Sequence, residues 1–138
     1  MPPQLNPQPR VDTIVADPTS RAQRRRSDYS GTAWFGVGGP VRGAISEEAR
    51  FFLPDSLPYW RARLHDAVVQ CSVALQVQSG HPNVVSDPHT QWVEDPRADG
   101  LAWLQLTFSV EGRDPLAISY RVVALCDPEA VALGELSD

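Results

Sequence analysis

Two segments near the C-terminus, residues 101–111 and 116–126, alternate apolar and polar side chains from end to end. A strand turns successive side chains to opposite faces, so a sustained period of two commits both segments to extended structure with one apolar face. Leu104, Leu106, Phe108 and Val110 form that face in the first; Leu116, Ile118, Tyr120 and Val122 form it in the second. Joined by a loop over residues 111–115, the two predict a hairpin with Phe108 opposite Ile118, Leu106 opposite Tyr120 and Leu104 opposite Val122. A three-residue loop would give the same pairs but needs a left-handed Asp114, which the following Pro115 disfavours. Each strand would run roughly 36 Å at 3.3 Å per residue, about twice the usual length. Long antiparallel strands with one apolar face must bury it against another layer. The expected fold is therefore all-β, an antiparallel β-sandwich or alternatively a closed barrel, with at most one or two short helices.

The reverse face of these strands is polar at one end (Gln105, Thr107, Ser109, Ser119, Arg121) and apolar at the other. There Leu101, Trp103, Val123 and Leu125 make a patch that either the N-terminal strand or Trp92 covers, or another chain meets; it is a candidate interface.

The remaining segments are less regular. Residues 1–30 hold five of the thirteen prolines and the basic cluster Arg21, Arg24, Arg25 and Arg26, with Val11 to Val15 the one apolar alternation. Such a segment buries too little apolar surface to offset its ordering entropy alone. It reads as an extended or disordered arm that orders on a partner, with Val11, Ile14 and the four arginines as its contacts. The β domain would then cover residues 31–127, and an acidic tail residues 128–138. The domain opens with a first strand over residues 32–37. The glycines of 36–43 mark a turn, because a phosphate loop would have to open directly into a helix and a proline follows instead. Ser46-Glu47-Glu48-Ala49-Arg50 has the capping and charge pattern of one helical turn. Residues 59–78 read as extended, with a bulge at 66–68 where the apolar phase moves from even to odd positions. Residues 79–83 read as a turn, and 84–100, polar and acidic, as a long surface loop holding one short strand at most.

Composition restricts function more than it names it. The chain has 138 residues, 42% of them hydrophobic and 21% charged, which suits one soluble domain. No apolar run approaches the ~20 residues of a membrane span. The first residues lack the apolar core of a secretory signal, so the expected setting is intracellular, or a particle assembled inside the cell. A net charge of −5 argues against nucleic acid as the partner of the folded body. All twelve basic residues are arginine, as a high-GC genome would produce. Cys71 and Cys126 form no metal or redox motif and fall in phase with apolar faces.

These features favour a non-enzymatic structural or assembly protein that joins copies of itself or another subunit through its N-terminal arm, without a cofactor. Coat, shell and decoration proteins of virus-like or phage-like particles share that plan. Two alternatives compete. One is a small-molecule-binding sandwich or barrel whose pocket is lined by Trp34, Trp60, Trp92 and Trp103. The other is a metal-assisted enzyme using His65, His81 and His89, with Asp66 and Asp87 nearby, although these residues lack ligand spacing on a rigid element.

Overall fold

A computed structural model describes residues 3–17, 22–35, 44–76, 83–97, 99–113 and 116–132. Among these residues nine strands form two antiparallel sheets packed face to face, an open sandwich and not a closed barrel. In the first sheet, β3 (Gln23–Phe35) pairs along most of its length with β9 (Leu116–Cys126), and β9 pairs on its other side with β6 (Val68–Leu75). The outer edge of β3 is shared by β1 (Gln4–Pro7) and β2 (Val11–Ala16), which follow one another along it. The register slips by one residue between Pro7, opposite Gly31, and Val11, opposite Asp28. The two are thus one strand interrupted by a bulge.

In the second sheet, β8 (Leu101–Arg113) is the centre. β4 (Ala44–Phe52) and the short β5 (Tyr59–Trp60) lie along one side of it, and β7 (Val84–Glu94) along the other. The faces read from the alternation are the buried ones: Leu104, Leu106, Phe108 and Val110 of β8, and Leu116, Ile118, Tyr120 and Val122 of β9. Aromatic side chains lock the layers together. Phe108 meets Phe35 across the sandwich, ring centroids 6.1 Å apart and edge to face, and Phe51 meets Tyr120 at 5.4 Å.

Several expectations change. The strands β8 and β9 are not a hairpin, so Phe108–Ile118, Leu106–Tyr120 and Leu104–Val122 are not ladder pairs; the two strands belong to opposite sheets. Alternation specifies which face is buried, and two strands facing each other across a core satisfy it as well as two side by side. Residues 114–115 of the expected loop lie outside the described residues.

The N-terminal segment likewise forms ladders with its own chain over β1, β2 and most of β3, so the boundary expected at residue 30 falls inside a strand. The β2–β3 ladder continues to Asp17, whose N–H donates to Ala22 O at 2.8 Å. The helical turn expected at Ser46–Arg50 is part of β4. Ala49 and Phe51, two apart, face Phe108 and Leu106, while Glu48 and Arg50 pair at 2.9 Å on the outside. Tertiary burial at period two overrides the capping signal.

The phase change near residue 66 is real but is not a bulge. The chain leaves β5 in one sheet, makes a 3₁₀ turn over Arg61–Arg63, and enters β6 in the other. The supposed loop 84–100 is mostly β7, whose alternation is hidden by a bulge between Ser86 and His89, where Asp87 has φ 58 ahead of Pro88. The expected acidic tail begins with a 3₁₀ turn over Pro128–Ala130, and Ala130, Val131 and Ala132 are buried. The glycine-rich turn at 38–43, the turn residues 79–82 and the tail beyond residue 132 lie outside the described residues.

Candidate functional site

The basic cluster sits on β3, where alternation separates its members. Arg25 shares the inner face with buried Ser27 and Tyr29, whereas Arg24 and Arg26 point outward. Each meets a carboxylate of its own chain. Arg24 reaches Asp66 at 2.9 Å and Asp17 at 3.5 Å, Arg25 reaches Asp12 at 3.3 Å, and Arg26 reaches Asp28 at 3.1 Å. Asp28 also binds Arg121 of β9 at 3.1 Å. The cluster is therefore woven into the sheet and is no free basic flag. Arg21 lies outside the described residues.

Asp12 is the hub that fastens β2. Its carboxylate accepts from Ser27 Oγ at 2.7 Å and from Arg10 Nε at 2.9 Å, besides its pair with Arg25. Burial works to raise the Asp12 carboxyl, but Ser27, Arg10 and Arg25 outweigh it and hold the pKa below the ordinary range. From Ser27 a polar chain enters the core. Tyr59 and Tyr29 share a hydrogen bond of 2.7 Å between hydroxyls, and the Leu57 amide donates to Tyr29 Oη at 3.2 Å. Burial pushes both phenols above their usual pKa. This chain ties β3 to β5 and to the turn before it through buried hydrogen bonds.

The outer faces carry the exposed features. On the first sheet a groove of about 540 Å³ has a floor of Val15, Val68, Val123 and Leu125, with Arg26 and Arg121 beside it. Val68 is 52% exposed, and Val11, farther along β2 opposite Asp28, 56%. Ile14 is exposed on the opposite face of β2. On the second sheet a groove of about 440 Å³ contains Phe52, Leu53 and Trp103, ringed by Asp55, Glu94, Asp95 and Arg97. The Arg97 amide and the Trp103 indole N–H, at 2.9 and 3.2 Å, hold the Asp95 carboxyl below its usual pKa. The interface patch expected from the sequence is thus divided: Val123 and Leu125 belong to one outer face, Trp103 to the other, and Leu101 is buried at the β5 edge. Nothing in the alternation signals that division, because it follows from the split of β8 and β9 between sheets.

The four tryptophans do not line one pocket. Trp34 is on the outer face of the first sheet, Trp92 packs on Tyr59 with centroids 4.7 Å apart, Trp60 lies by Gly100, and Trp103 floors the second groove. His65 is in the connection after the 3₁₀ turn and His89 is on β7, bonded to Asp87 O at 3.1 Å; His81 lies outside the described residues. Among the described residues no three His, Cys, Asp or Glu side chains gather as metal ligands. Cys71 and Cys126 are unbridged on the inner face, and burial lifts the Cys126 thiol to about 11. Among the described residues no helix is long and apolar enough to cross a membrane. No protein family, curated protein or solved structure matches this chain.

Proposed function

We propose that this protein is a non-enzymatic structural subunit that joins copies of itself or another protein through the outer face of the sheet built on β3. The N-terminal segment takes part by completing that face. The reading is supported by one observation above the others: Val15, Val68, Val123 and Leu125 gather on an outer face that solvent would otherwise favour as polar, among Gln70, Ser72 and the two arginines. Arg26 and Arg121 beside it share Asp28 but keep 42% and 59% of their side chains exposed, so each can still turn N–H donors to a partner's carboxylate. A coat, shell or decoration component of a virus-like particle is the setting that uses such a module. The test is the mass of the protein by light scattering after purification, and by size exclusion in unfractionated lysate of its source cells. A mass above one chain in either supports the reading. The mass of a single chain in both overturns it.

A further inference from the structure

We infer that the occupant of the groove on the first sheet is Phe52 of a second copy, so that chains join head to tail. The inference rests on the assembly reading and specifies its geometry. Phe52 is 50% exposed and is the most exposed aromatic side chain among the described residues. It ends β4 on the outer face of the second sheet, immediately before a tight turn in which Ser56 N donates to Leu53 O at 3.1 Å and Asp55 takes φ 63. That turn carries the Asp55 carboxylate out beside Phe52, and Glu94 stands on the far side of the same groove. Both carboxylates are well exposed: Asp55 pairs at 3.2 Å with a largely covered Arg10, which also donates to the Asp55 carbonyl, and Glu94 pairs at 3.1 Å with an exposed Arg61. An exposed pair such as Glu94–Arg61 contributes little and exchanges partners readily.

The first sheet presents the complement: a groove over the side-by-side Val68 and Leu125 with Val15 and Val123, flanked by Gln70 and Ser72 and with Arg26 and Arg121 at its side. An aromatic knob flanked by carboxylates suits an aliphatic hole flanked by guanidiniums in both packing and sign. The two surfaces lie on opposite outer faces of one sandwich. A contact between them is heterologous: each chain keeps one knob and one hole free, and growth continues until a ring closes or a filament extends.

Two variants at exposed positions, Phe52→Ser and Val68→Glu, each remove one side of the contact. Light scattering over rising concentration is expected to give multi-chain masses for the natural sequence and a single-chain mass for each variant, association falling roughly tenfold or more. An equimolar mixture of the two variants retains one intact knob and one intact hole, and should form two-chain species and nothing larger. Arg121→Glu, also exposed, should weaken association of the natural sequence, and so should 1 M salt, where screening acts within about 3 Å. Near-UV circular dichroism confirms that each variant is folded. A natural chain that stays single overturns the head-to-tail contact even if lysate complexes uphold assembly. A Phe52→Ser chain that keeps the natural mass overturns it while leaving self-association intact, as does a mixture that stays single.

Discussion

Replacing Asp12 by Asn leaves the Arg25 guanidinium, whose Nε is already buried with no hydrogen-bond partner, without the carboxylate 3.3 Å away. The loss should be about 1–3 kcal/mol, the range for a buried polar group deprived of its partner, read from urea unfolding. Its pH dependence has a fixed sign. Because the folded-state pKa of Asp12 is lowered, its contribution is complete above the ordinary carboxylate value of about 3.9 and is lost as pH falls through the folded value. The gap between the natural chain and the Asp12→Asn variant should therefore close only in strong acid. The tyrosines give the opposite limb. The chain has three, and burial raises the pKa of each. Groups raised in this way stabilise the fold below about pH 10, where the unfolded phenols begin to ionise, and that stability declines as pH rises further. In a near-UV absorbance titration, tyrosinate should appear with cooperative unfolding and not as an independent step. Tyr120 adds a local constraint, since a Cβ on Gly31 would lie 2.6 Å from its hydroxyl and 2.8 Å from Asn6 O.

At the scale of elements, that close approach predicts what Gly31→Ala does. The methyl displaces β1 from β3 at a cost of roughly 1–3 kcal/mol for overpacking, so limited proteolysis should cut near residues 4–8 faster than in the natural chain. Hydrogen exchange should rank the strands in the same sense. Central β9, bonded on both sides, should exchange last, and exposed β1 and β2 first among the strands. The elements also show what can be read without coordinates. Leu104 to Val110 and Leu116 to Val122 disclose strands and buried faces because one apolar face per strand is a local demand. Which strands become neighbours is not local, so β8 and β9 read as a hairpin although they oppose each other. Around Asp87 and Pro88 a bulge resets the parity, and β7 resembles a loop. At Ser46 a helix cap is imitated by residues that a strand divides between its faces, Ser46, Glu48 and Arg50 outward and Glu47 with Ala49 on the other side. The arm misleads for a related reason: its few apolar residues suggest no core, whereas its ladder and the Asp12 hub supply the anchorage. Of the candidate surface, Val123 and Leu125 are legible, and the groove is not, because Val15 and Val68 come to it from distant segments.

For the whole molecule, the order of strands in space differs sharply from their order along the chain. The strand beside which β3 must lie, β9, is the last of the described strands along the chain: β3 is finished at residue 35 and β9 at residue 126. A chain ending at residue 113 should accordingly lack the joined first sheet and lose much of the native β signal by far-UV circular dichroism, since β3 and β6 would have lost the strand that joins them. Pairing across such sequence distances makes folding slow relative to helical proteins of equal size. On a ribosome adding about 5–20 residues per second, the β1–β3 ribbon emerges and then waits roughly 5–20 s for its neighbour, with an unsatisfied backbone edge turned to solvent. Newly made chains crowded on one messenger would meet edge to edge during that interval, so the gravest hazard to this protein falls before its synthesis is complete.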